Sequence, residues 1–155
     1  MKKYVSLGLW IVSFEVVSMA IGFATQGGVD GWYQALQKPP LVPPNVIFPI
    51  MWTALYALIA AAGWNIWWMP AGADRAKLQK LFIIYMAMNW LWSFIFFSAH
   101  MMLAGFLWIL VMNVLTLVLI MEAWRPARLS AALLIPLLAW TSFAAYLNGG
   151  YWYLN

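Results

Sequence analysis

Three short runs of polar and aromatic residues stand out, each spaced as one face of a helix. Pro49, Trp52, Thr53 and Tyr56 follow i, i+3, i+4, i+7, and Asn89, Trp92, Ser93 and Phe96 repeat the pattern. Trp140, Phe143, Ala144 and Asn148 follow it again with one residue of slip. Rings gathered on facing helix surfaces bind flat, hydrophobic, weakly polar molecules by stacking and area burial. The plainer alternative is that the rings only pack and the asparagines only bridge helices. Other chemistries lack their residues. There is no cysteine, which removes thiol nucleophiles, disulfides, iron–sulfur clusters and Cys-type zinc sites. One histidine, His100, and no facing carboxylate cluster leave no metal site. There is no Ser-His-Asp set, no glycine-rich phosphate loop and no carboxylate pair. As an iron ligand His100 would suit a bound haem, whereas as a loop residue it is simply solvated. Glu15 lies alone in an apolar stretch, either contacting a substrate or proton, or hydrogen-bonded for structural reasons.

The elements that must position these faces follow from composition. Of 155 residues, 66% are hydrophobic, 18% aromatic and 8% charged, against about 25% charged in a soluble domain. Twelve tryptophans outnumber the eight lysines and arginines. So few charges cannot coat a small soluble domain, and so much hydrophobicity excludes intrinsic disorder. Residues 4–25, 45–68 and 129–148 each supply the roughly 20 apolar residues that a transmembrane helix needs. Residues 81–121 contain a single ionisable group, His100, and as one helix would reach about 60 Å, twice the hydrocarbon thickness. The interval must fold back near Ser98–Met101, giving spans 76–98 and 103–124. No stretch alternates with the period of a membrane strand. The expected fold is an all-α membrane protein: one domain over residues 1–155, a five-helix transmembrane bundle with a lid-like first loop containing a short helix. A cleaved leader is the lesser reading of the first span, because the apolar run is long and Ala20–Ala24 is a poor cleavage site.

Five spans place Lys2, Lys3, Arg75, Lys77, Lys80, Arg125 and Arg128 on one side and Lys38 on the other. That bias predicts a cytoplasmic N-terminus and explains the net charge of +4 as topology anchors and lipid contacts, not a nucleic-acid face. Gln26–Gly31 is expected to end the first helix, Asp74 to cap the third and Pro126 to open the fifth. The first loop, residues 26–43, is then the long one, and long ordered loops tend to carry function. Trp32, Tyr33 and Leu36 suit an interfacial helical turn ahead of the proline run Pro39, Pro40, Pro43 and Pro44. The segment reads either as an aromatic belt with a proline-started helix or as a lid over the bundle. Ser18 with Gly22, Ala20 with Ala24, and Ala60–Gly63 have the small-xxx-small spacing of close helix contacts, within one bundle or between protomers.

These residues carry a resemblance. The blocks are Trp32-Tyr33-x-x-Leu36-x-Lys38-Pro39-x-x-x-Pro43-Pro44, Trp52-Thr53-x-Leu55-Tyr56, Asn89-Trp90-x-Trp92-x-x-Ile95-Phe96-Phe97 and Trp140-x-x-Phe143-Ala144-x-x-Leu147-Asn148. In this order they resemble the translocator protein family, also called the tryptophan-rich sensory protein or peripheral benzodiazepine receptor family (TspO/MBR). The resemblance implies a five-helix bundle, usually a homodimer in lipid, with a cavity for porphyrin or haem, synthetic aromatic ligands and, in animal members, cholesterol. It implies a pocket of Tyr33, Pro43, Trp52, Tyr56, Asn89, Trp92, Trp140, Phe143 and Ala144 under a lid including Trp32, Leu36, Lys38, Pro39 and Pro44. No cofactor is required; the tetrapyrrole is the ligand. Transport, sensing or disposal of that ligand in a bacterial cell membrane is the expected role. Light- and oxygen-dependent porphyrin breakdown through Trp52 and Trp140, a ligand-regulated scaffold and sterol binding are the alternatives. The sterol pattern needs a basic residue after a C-terminal tyrosine, and Tyr151–Asn155 has none. Glu15 is not part of the family pattern.

Overall fold

The computed structural model describes residues 2–155, with side chains from Lys3 onward. The expectation for the Lys2 side chain lies outside the described residues. Five helices are long and apolar enough to cross a membrane: α1 Lys2–Gly28, α2 Ile47–Trp67, α3 Ala73–Ser93, α4 Met102–Ala123 and α5 Arg128–Leu154. No strand occurs among the described residues. Lipid offers the backbone no hydrogen-bond partners, so a spanning segment of this composition satisfies its own amides as a helix. Pro136 inside α5 supplies no N–H to the helical ladder, a loss that membrane helices tolerate where neighbouring groups or local adjustment satisfy the freed carbonyl.

The end of α1 differs from expectation, while the third span ends at Ser98 as expected, and both ends are built in the same way. Gly27 and Gly28 do not end α1, which continues through a π-helical turn at Val29–Tyr33. The short helix expected inside the loop is therefore the end of α1, and Leu36 lies just beyond it. α3 likewise continues through a π-helical turn at Phe94–Ser98, where the Ala99 N–H donates to the Phe94 carbonyl at 2.8 Å. The two π turns meet. A Cβ at Gly28 would run into the Phe97 backbone carbonyl, so this glycine is there for close approach. No glycine is in the left-handed region, and Gly27, Gly28 and Gly31, expected to end the helix, lie within it and its π turn. Each glycine costs a helix about 1 kcal/mol. Burial of Tyr33 against Phe96 and Tyr151 offsets that cost.

Three smaller expectations are also revised. α5 runs six residues past 148, to Leu154. Gly72, not Asp74, sits at the N-cap of α3; Asp74 lies in the first turn and acts through its charge on the helix dipole. Pro126 lies in a turn closed by the Ala127 N–H on the Ala123 carbonyl at 2.8 Å, so α5 starts only at Arg128.

The helices form a ring in the order α1–α2–α5–α4–α3, which α1 closes by touching both α2 and α3. Lys3, Arg75, Lys77, Lys80, Arg125 and Arg128 collect at one end, and Lys38 lies at the other. At the basic end the helices are close. Ile59, Ala60, Ala62 and Ile66 are fully buried with Leu78, Phe82, Leu119 and Leu134. A Cβ on Gly63 would come within 2.5 Å of Phe82 Cζ and 2.8 Å of Trp10 Cζ3, so this glycine lets α1 and α3 approach α2. Asn65 donates to Ser130 Oγ, which donates to the Ala62 carbonyl, both at 2.9 Å, and this chain clasps α2 to α5.

Candidate functional site

At the other end the ring encloses a cavity of about 500 Å³, within the size range of small-molecule sites. Each of the three striped faces contributes. Pro49, Trp52, Thr53 and Tyr56 of α2 line it, as do Asn89, Trp92, Ser93 and Phe96 of the α3 segment. From α5 come Trp140, Ala144 and Asn148, with Thr141, Leu147 and Tyr151 on the same side. Phe143 does not line the cavity. At 100° per residue it lies about 60° to the far side of Trp140 from Ala144. There it packs behind the wall, tilted by 55° against Trp140 at 5.8 Å and stacked on Tyr146 at 6.2 Å.

The polar groups are organised. The Tyr56 hydroxyl donates to Asn89 Oδ1 at 2.6 Å, and Asn89 Nδ2 donates to the Tyr85 hydroxyl at 3.2 Å. All three residues are buried; Tyr56 and Asn89 line the cavity and Tyr85 does not. Trp92 donates its indole N–H to the Gly105 carbonyl at 3.2 Å, which leaves the ring face for the cavity. That ring stacks on Phe96 at 5.3 Å and 13°. Near the long-loop end, the Tyr151 hydroxyl donates to the Tyr33 hydroxyl at 2.8 Å, joining the end of α1 to α5 across the top.

The proline loop does not cover this space. Between the π turn at Val29–Tyr33 and the start of α2 at Ile47, only Gln34 and Asn45 line the cavity, whereas Leu36, Lys38, Pro39, Pro43 and Pro44 do not. The loop is a strap fastened along α5. The Gln37 N–H donates to Asn155 Oδ1 at 2.8 Å, and Asn155 Nδ2 returns a bond to the Gln37 carbonyl at 3.1 Å. The Tyr146 hydroxyl donates to the Pro40 carbonyl at 3.1 Å, and buried Pro39 seats against Gly150. Lys38 is exposed. Trp32 points elsewhere, stacked on exposed His100 at 4.4 Å and 13°. His100 holds a left-handed φ of 56°, a conformation costing about 1–2 kcal/mol that the stack helps to fix.

The wall that sequence reasoning missed belongs to α1. Glu15, Ser18, Gly22, Thr25, Gln26 and Val29 line the cavity. Their spacing of 3, 4, 3, 1 and 3 residues is as helical as the three stripes noted above, so the signal was present in the polar and small residues of that span. Ser18 and Gly22 therefore face the cavity, while Ala60, Ala62 and Gly63 make close contacts inside the bundle. Ala20 and Ala24 are exposed. Of the nine pocket residues implied by resemblance, the structure brings together Tyr33, Trp52, Tyr56, Asn89, Trp92, Trp140 and Ala144, leaving out Pro43 and Phe143. Among the described residues no group of three or more His, Cys, Asp or Glu could hold a metal ion.

Comparison with known proteins bears on the same residues. The TspO/MBR family pattern matches residues 10–154. The chain is 32% identical to the tryptophan-rich protein TspO of Archaeoglobus fulgidus, over 95% of this chain and 97% of that one. It is 30% identical to protein CrtK of Rhodobacter capsulatus, covering 97% and 94%. It is 34% identical to the translocator protein of Ovis aries, covering 94% and 91%.

Proposed function

The chain belongs to the TspO/MBR family, and from that premise we propose that this multi-pass membrane protein binds a tetrapyrrole and acts in its transport, sensing or disposal. The observation that carries the reading is the cavity itself: about 500 Å³, set among the spans, with indole and phenol rings from separate helices on its walls. A macrocycle would stack on Trp52 and Trp140 and meet the face of Trp92. Asn89 uses its oxygen on Tyr56 and one N–H on Tyr85, so its second N–H is the group left for a ligand. Ala144 matters by being small, since a larger side chain there enters the ligand's space. In this reading the working unit is a homodimer in lipid, with the basic end at the cytoplasmic face.

The test is a quenching titration of tryptophan fluorescence with protoporphyrin, haem and a sterol in parallel. Saturable quenching by the tetrapyrroles, weakened about tenfold or more in Trp52→Ala and Trp140→Ala, is expected. Tetrapyrrole affinity no different from that of protein-free lipid overturns the reading. Preference for the sterol transfers the cavity to a different ligand class.

A further inference from the structure

The cavity carries charge of one sign only. Among the described residues its lining includes two carboxyl groups, Glu15 and Asp30, and no lysine, arginine or histidine. Of the described basic residues, Lys3, Arg75, Lys77, Lys80, Arg125 and Arg128 lie at the opposite end, and Lys38 on the strap does not line the cavity. Asp30 is exposed and receives a bond from Gln26 Nε2 at 2.7 Å. Glu15 is different. It sits twelve residues, roughly 18 Å, into α1 from Lys3, near the middle of the span. Its Oε1 is buried and finds no hydrogen-bond partner among the described residues. The residue lines the cavity together with Ser18 and Tyr56. An acceptor at that depth is costly unless something satisfies it, and intramembrane carboxylates usually face a partner or a pathway.

We infer that the cavity selects its ligand by charge. The Glu15 carboxyl receives a protonated or N–H-bearing nitrogen on a flat apolar body. A molecule presenting free carboxylates to the deep end meets repulsion and no counter-cation. This inference rests on the cavity being the ligand site proposed above, and it narrows the ligand class. Among macrocycles of one shape, neutral and amine-bearing members bind in preference to the diacid. The aromatic walls supply affinity without regard to charge, and Glu15 supplies the choice.

The experiment uses the full chain in zwitterionic nanodiscs, with empty discs subtracted. Tryptophan quenching is titrated with protoporphyrin IX, its dimethyl ester and its bis(dimethylaminoethyl) amide, and separately with 9-aminoacridine and acridine-9-carboxylate. The amine derivative should bind at least tenfold more tightly than the diacid, with the ester between them. Glu15→Gln should weaken the amine arm about tenfold, leave the ester within twofold and bring the amine-to-diacid ratio below three. Asp30→Asn should leave most of the preference in place. A diacid that binds wild type as tightly as the amine overturns the inference. So does a Glu15→Gln protein that loses all three ligands alike, which would make Glu15 structural. If Glu15→Gln does not accumulate, the wild-type ranking decides. If no porphyrin binds but 9-aminoacridine is preferred over the carboxylate, charge selection stands and the tetrapyrrole reading falls. Equal binding within both ligand sets overturns the inference.

Discussion

Around Ala60, Ala62 and Gly63 the five helices close on one another; two turns away along α2, around Trp52 and Tyr56, they stand apart. The first region is packed with Ile59, Ile66, Leu78, Leu119 and Leu134, all at most 1% exposed. The second surrounds about 500 Å³ of open space. Helix separation follows the side chains at the contact, so alanines and a glycine draw backbones together where indoles hold them apart. Rings are also poor at collapsing into a gap, because they are rigid and their orientations here are fixed by stacking and by bonds such as Trp92 to Gly105. The Tyr56–Asn89–Tyr85 belt marks the boundary between the two regimes. One half spends its sequence on cohesion and the other on a shaped space.

The contrast predicts that added volume harms stability in the tight half and binding in the open half. Ala62→Leu should destabilise the protein by about 3 kcal/mol, because overpacking a filled core costs about 1–3 kcal/mol and Ala62 is fully buried. Denaturant titration in detergent measures it; a stable Ala62→Leu protein would mean that the small residues do not set the helix spacing. Gly28→Ala should cost about 2 kcal/mol, since its Cβ meets a backbone carbonyl that no rotamer change can move. Gly63→Ala should cost less, because its neighbours are ring ends of Phe82 and Trp10. The reverse order would show that the π-turn junction is the softer contact.

Tyr56→Phe removes the donor to Asn89 Oδ1 and leaves that buried oxygen unpaired, at about 1–2 kcal/mol. If thermal stability is unchanged, the belt is not a structural boundary. Ala144→Thr sharpens the contrast most directly. Ala144 faces the cavity, so the change should leave the melting temperature within about two degrees yet weaken protoporphyrin binding about tenfold, or about 1.4 kcal/mol. Equal affinity would remove α5 from the proposed ligand contact. The smallest effect is expected for Asn155→Ala. It frees Gln37 from two bonds, costs about 1 kcal/mol and makes residues 36–44 more open to protease, with the cavity unaltered.

Much of the architecture was legible because lipid leaves few options. Charge-free intervals of the right length had to be helices, and the lone His100 had to mark a bend. The faces of α2 and α3 were equally legible, since Asn89 could not be left in acyl chains and its helical neighbours had to turn inward with it. The same reasoning would have found Glu15, Ser18 and Thr25 on α1, had its polar residues been read as a stripe rather than as one isolated acid and two small-residue pairs.

By itself, then, the sequence determined the number of spans, the end that carries the basic residues and the inward faces of two helices, through length, charge and period. Tertiary structure alone decided that α1 continues through Gly28, that Phe143 stands behind Trp140, that the proline segment straps α5 and that Glu15 lines the cavity with one oxygen buried and unpaired. The reason is the solvent. In water a helix shows its buried side by being apolar there, but acyl chains are as apolar as leucine, so composition does not separate an inner face from an outer one. Only the neighbours that a helix meets, and how closely its glycines let them approach, fix its rotation and its end.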